Sequence, residues 1–207
     1  MNRWRELFKI QKACGGKYFV IPSYGVDYTV QGLKDMCNYF NKVGKIAQEY
    51  GLTLGYHNHS NEFQKLKDSD DVMWEYLVEH TDPQYVCFEL DVYWCAKGGK
   101  DPVEYLKKYP KRVQLLHIKD DFVIGEGTVV NFEDVFTQFY KNKMKDFFVP
   151  QAFCILNSSR QRFIISSSLF LSSCMLECVD TIFMEFASHS FLNSSAGMPN
   201  TLGSPPH

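Results

Sequence analysis

The sequence predicts an α/β fold in which a parallel sheet is covered by helices. Three observations carry this. Five β-rich runs begin near residues 17, 52, 85, 112 and 146, roughly 30 residues apart, which is the length of one βα unit. Amphipathic helical patterns fill the gaps between the runs. Polar residues able to do chemistry gather at the C-terminal ends of at least three of them.

The elements follow in order. Arg3–Cys14 reads as a helix ahead of the first run, Lys17–Pro22 (KYFVIP), which stops at its proline. Val30–Tyr50 sets Leu33, Met36, Cys37, Phe40, Val43, Ile46 and Ala47 at helical spacing and stops at Gly51. Leu52–His57 (LTLGYH) is the second strand. Asp70–His80 is helical, with Val72, Trp74, Tyr76, Leu77 and Val78. Tyr85–Asp91 (YVCFELD), after Asp82-Pro83, is the third strand. Asp101 is an N-cap with Pro102 at the first helical position, opening a short helix to Lys108. Arg112–Ile118 (RVQLLHI), after Pro110, is the fourth strand. Asn131 caps a helix over Phe132–Tyr140, and Asp146–Val149 (DFFV) begins a fifth strand.

Two architectures fit this alternation: an open doubly wound sheet, or part of a (β/α)8 barrel. No G-x-G-x-x-G follows a strand, which weakens the dinucleotide-binding case, and the polar strand ends favour the barrel. A full barrel takes about 250 residues, so a chain of 207 predicts a partial barrel of about five βα units.

Composition removes other classes. With 45% hydrophobic and 22% charged residues, the chain is not wholly disordered. A formal charge of −2 argues against nucleic acid as a partner. Seven cysteines without a C-x-x-C argue against a disulfide framework or zinc ribbon, and for a cytoplasmic setting. The N-terminus reads as no signal peptide, and no run of about 20 apolar residues predicts a membrane span.

The chain changes character near Val149. Residues 1–149 hold all 17 lysines, and the remaining 58 hold none, but carry 12 serines. Phe163–Leu176 (FIISSSLFLSSCML) has neither helical nor strand period. The segment 150–207 therefore reads as a separate tail, either irregular or disordered, or translated from another frame or joined from elsewhere.

Four clusters could carry chemistry. In Tyr56-His57-Asn58-His59, the two histidines share one face of a strand where it gives way to its loop, and Glu62 follows. Two histidines and a carboxylate there can bind a metal or orient a substrate; the bland reading is a solvated loop. In Phe88-Glu89-Leu90-Asp91-Val92-Tyr93-Trp94, Glu89 and Asp91 point one way, and a carboxylate ending an apolar strand is costly unless paired or metal-bound. The plainer role for Asp91 is to cap the next turn, and for Trp94 to be core. In Leu115-Leu116-His117-Ile118-Lys119, His117 and Lys119 share a face near the strand end. A lone strand histidine is more often core, but Glu62, Asp91 and His117 ending three separate strands point to a shared site. Carboxylates with one imidazole suit Mn²⁺, Mg²⁺ or Co²⁺. Glu126, in Ile124-Gly125-Glu126-Gly127, reads as part of a plain turn or as a substrate contact.

GYHNHSNEF, FELDVYW followed by GGKDPVEYLKKYP, LLHIKD and IGEG, in this order, resemble the sugar phosphate isomerase/epimerase family, whose members are xylose isomerase-like TIM barrels. The resemblance spans about residues 1–149. It implies a divalent metal at the barrel mouth, held by a Glu, an Asp, a His and a second Glu from four strand ends. Asp91 and His117 match the Asp and His. Glu62 is the candidate first Glu and the candidate catalytic base, while His57, His59, Trp94 and Lys119 would line the sugar pocket. The implied reaction is isomerisation or epimerisation of a sugar or sugar phosphate by proton transfer next to a carbonyl. Two further readings compete: β-elimination from a 3-keto sugar on the same site, and a non-catalytic fragment. An apurinic endonuclease shares the barrel, but the acidic balance and the lack of a basic stripe argue against it.

Two departures from the family pattern stand out. The chain begins near the family's third strand, so the first two βα units and the last are expected to be missing. DFFV runs into Pro150-Gln151 instead of a glutamate, where the composition also changes. A partial barrel exposes two sheet edges, and dimerisation or packing of the tail would cover them.

Overall fold

The computed structural model describes residues 1–121, 123–127 and 129–149. The expected irregular or out-of-frame tail over 150–207, and the Pro150-Gln151 junction, lie outside the described residues.

Helix α1 (Asn2–Ala13) precedes strand β1 (Tyr18–Ile21), and α2 (Val30–Glu49) follows it. Next come β2 (Thr53–His57), a 3₁₀ turn over Asn61–Phe63, and α3 (Met73–His80). Strand β3 (Val86–Asp91) leads straight into α4 (Val92–Lys97) and then α5 (Pro102–Lys108). The described region closes with β4 (Val113–His117), α6 (Phe132–Lys141) and β5 (Asp146–Phe148).

The five strands form one sheet in the order β1-β2-β3-β4-β5, every neighbouring pair parallel. A doubly wound sheet reverses its strand order at a switch point. This sheet does not, so it is a half-barrel, the architecture that the polar strand ends favour over the doubly wound sheet.

Local chemistry places the helices. Thr29 caps α2, its hydroxyl accepting from Gly32 N–H. Leu33, Met36, Cys37, Phe40, Val43 and Ala47 then form one buried stripe along α2. Gly44 lies on the same stripe, where a Cβ would stand 2.6 Å from the Tyr85 carbonyl oxygen. The helix can therefore approach the entry to β3 only with glycine there. All six residues of β3 are buried, as expected of a strand covered on both faces. Between α3 and α5, Trp74 packs against Phe63, Phe88, Tyr105 and Tyr109, with ring centroids 5.2–5.9 Å apart.

Two local expectations shift. Asp70–Val72 precede α3, because Val72 pairs with Lys65 in an isolated bridge. Val92–Lys97 forms a helix that the β-branched start of VYWCAK does not announce; the cap at Asp91 and burial of Val92, Tyr93 and Cys95 provide it.

Candidate metal centre

The site is built at the C-terminal ends of β2, β3 and β4, and strand register builds it. His57 pairs in register with Glu89, and Asp91 with His117. The second pairing depends on a register shift between Phe88 and Glu89, where Phe88 pairs with Val113 but Glu89 with Leu115. Continued without the shift, Asp91 would face Leu116. The irregularity inserts one residue and brings an imidazole beside the carboxylate, as bulges near active sites do.

Asn58 locks the β2–β3 end. Its Nδ2 donates to the Asp91 carbonyl at 3.2 Å and its Oδ1 accepts from Asp91 N–H at 3.0 Å. The Asp91 Oδ1 caps α4, accepting from Trp94 N–H at 2.8 Å. Its Oδ2 is fully buried and accepts no hydrogen bond, yet lies 3.2 Å from His117 Nδ1 and 3.8 Å from His57 Nε2. Buried His117 Nε2 likewise has no hydrogen-bond partner. One ligand atom from each of His57, Asp91 and His117 falls within 4.8 Å of the others.

Electrostatics favour a cation here. Burial raises the Asp91 carboxyl to about 6, against the Trp94 N–H, His57 and Lys119, which favour its charged form. Burial pulls His117 down to about 4, so its imidazole is neutral with a lone pair to give. Burial also pulls His57 down, but the Glu89 hydrogen bond and the nearby carboxylates outweigh it and raise the group above its ordinary value. A buried carboxylate with an unused oxygen between two imidazoles is costly by itself, and a metal ion would balance it. Two ligand atoms about 2.1 Å from one ion at tetrahedral angles stand about 3.4 Å apart, a value bracketed by the 3.2 and 3.8 Å spacings at Asp91 Oδ2. The residues therefore fit a divalent cation.

The other expected residues lie around this trio. Glu62 is buried, but its Oε1 accepts from Tyr56 Oη at 2.9 Å and its Oε2 from His59 N–H at 2.9 Å. It fixes the loop after β2 and is not part of the close cluster, whereas His57, expected in the sugar pocket, is. His59 sets its ring edge-on to His57 at 5.0 Å and tilted to Trp94 at 5.8 Å, centroid to centroid. Burial, and then His57, keep its pKa below the ordinary value. The Lys119 ammonium lies 4.6 Å from the Trp94 ring centroid and 5.3 Å from that of Tyr93. Glu126 is exposed on a turn held by Asp120, which accepts from the N–H groups of Asp121, Gly125 and Gly127. The sequence reading left Asn58 and Glu89 without partners. Asn58 stood in the His-Asn-His run, but only strand pairing shows that it binds the backbone of β3.

Similarity to known proteins agrees with this fold. The family model for the xylose isomerase-like TIM barrel matches residues 1–160. A crystal structure of a sugar phosphate isomerase/epimerase from Parabacteroides distasonis superposes with a TM-score of 0.70 at 31% identity, over 87% of this chain and 64% of that one. A second from the same organism gives 0.68 at 35% identity, over 70% and 54%. The inosose dehydratase of Bacillus cereus strain AH820 is 26% identical over 178 residues, 67% of this chain. The chain spans 58% of that relative's length. Among the described residues, no helix is long and apolar enough to cross a membrane. On the matched span, the sequential parallel half-barrel and its mouth, the chain belongs to the xylose isomerase-like TIM barrel family.

Proposed function

We propose that His57, Asp91 and His117 hold a divalent cation, and that residues 1–149 carry the mouth of a sugar isomerase or epimerase, with 150–207 a separate segment. The observation that carries this is the Asp91 Oδ2, fully buried without a hydrogen bond and facing two imidazoles. Two imidazoles and one carboxylate shift the preference among Mn²⁺, Co²⁺ and Mg²⁺ towards the first two. When bound, the ion polarises a carbonyl and acidifies the neighbouring C–H.

The chain's own groups do the rest. Glu62 is the base, and His59, neutral beside His57, is a second group able to carry the proton. Trp94 gives a flat apolar wall for a sugar ring. Lys119 above that wall donates to a sugar or sugar phosphate oxygen.

A second reading is loss of water from a keto sugar or keto-polyol on the same site, favoured by the inosose dehydratase relatives. Both reactions begin with proton removal next to a carbonyl and differ in what leaves. The test is to load the chain with Mn²⁺ in D₂O and offer a panel of ketoses and an inosose. Deuterium gained at the carbon beside the carbonyl supports epimerisation or isomerisation; loss of water supports the dehydratase. Glu62→Gln is expected to stop either while leaving Mn²⁺ bound. Mn²⁺ binding with neither reaction would leave the non-catalytic fragment, and no Mn²⁺ binding would sink the metal reading.

A further inference from the structure

Glu89 is a buried carboxylate that this chemistry leaves unused. It lies on β3, two residues before Asp91, and is 8% exposed. Its Oε2 is 2.8 Å from His57 Nδ1, and both side chains are at least nine-tenths buried. On the other side of the same ring, His57 Nε2 looks to Asp91 Oδ2 at 3.8 Å. The imidazole thus bridges one carboxylate with no direct place in the trio and one within it.

A second contact makes the first matter. His57 Nδ1 is also 3.3 Å from His117 Nδ1, the atom that faces Asp91 Oδ2. If the His57 Nδ1–H were given to His117, it would occupy the lone pair that His117 needs for an ion. If the proton sat on His57 Nε2 instead, that nitrogen could not ligate. Only the Nδ1–H tautomer, with its hydrogen on Glu89, leaves both imidazoles open toward Asp91.

We propose that Glu89 is a positioning residue, whose carboxylate accepts the His57 Nδ1–H, keeps it off His117 and presents His57 Nε2 to the cation. This rests on the metal reading above. Carboxylates behind a ligating histidine commonly set its tautomer and orientation in this way.

The test compares wild type, Glu89→Gln and Glu89→Ala in the full chain. Co²⁺ affinity is read by calorimetry and visible absorption. The His57 tautomer is read by ¹⁵N NMR of the metal-free protein at alkaline pH, where imidazole is neutral. Glu89→Ala is expected to weaken Co²⁺ binding roughly 10–100-fold and to lose the Nδ1–H preference. Glu89→Gln, whose amide oxygen still accepts, should keep the tautomer and recover most of the affinity. A purely structural Glu89 would lower thermal stability without moving the tautomer. Should Glu89→Ala not fold, Glu89→Met, of matching length and without an acceptor, takes its place. Wild-type Co²⁺ affinity and tautomer in the acceptor-free variant would overturn the proposal. Failure of wild type to bind Co²⁺ overturns the metal reading and this role with it, while the tautomer comparison still reports whether Glu89 sets the imidazole.

Discussion

Asp91 and Asp101 perform the same local task and have different fates. Each caps a helix through one carboxylate oxygen, Asp91 accepting from Trp94 N–H and Asp101 from Val103 N–H, both at 2.8 Å. Asp101 is exposed on the outer helix layer. Asp91 is wholly buried at the mouth of the half-barrel, where its second oxygen meets two imidazoles. A cap uses one oxygen of two. What the other oxygen meets is decided by strands far away in sequence, so the same residue in the same local motif is a surface cap in one place and a metal ligand candidate in the other.

The largest expected effect separates the two directly. Asp91→Asn keeps a capping oxygen for Trp94 but removes the anionic ligand, so Mn²⁺ affinity should fall about 100-fold or more, while Asp101→Asn leaves it unchanged. Equal affinities in calorimetric titrations would erase the distinction.

Asn58→Ala comes next. It takes two hydrogen bonds from the Asp91 backbone, leaves buried groups unmatched, and should lower unfolding free energy by about 1–3 kcal/mol in urea. It should also weaken Mn²⁺ binding, since Asp91 would lose its fixed register.

A pH effect then sharpens the contrast in the metal-free protein. The Asp91 carboxyl is raised by burial to about 6 from 3.8. A carboxyl raised on folding contributes its full stability below the unfolded value, and loses it as pH rises through the folded one. Metal-free Asp91→Asn should therefore be more stable than wild type at pH 7, by on the order of 1 kcal/mol. The gain should vanish as pH falls below about 4. Asp101→Ala should show the smallest change, a loss of about 1 kcal/mol from the missing cap.

Much of the fold was legible in the sequence. The α2 stripe, the stop at Gly51, the Asp101-Pro102 start and the Asn131 cap are all short-range features. They depend on residues a few positions apart, and each appears where the pattern puts it. Helix α4 was not legible, because Val92 and Tyr93 favour strand by themselves, and only burial after a cap at Asp91 turns them into a helix. Of the candidate site, Asp91 and His117 could be named from their strand ends, and the structure brings them together. His57 was named but given to the sugar pocket. The sequence pattern puts Glu62 with the metal and as the base; in the structure its oxygens accept from Tyr56 and His59.

The sequence by itself determined all five strands and every helix except α4, their order, and that polar side chains end three of the strands. Those properties follow from period, caps and breakers within a dozen residues. Tertiary structure alone decided which of those side chains meet. A register shift between Phe88 and Glu89 aligns His117 with Asp91, and strand pairing sets Glu89 beside His57. Strand register answers to packing across the whole sheet, and a slip of one residue turns every side chain to the other face.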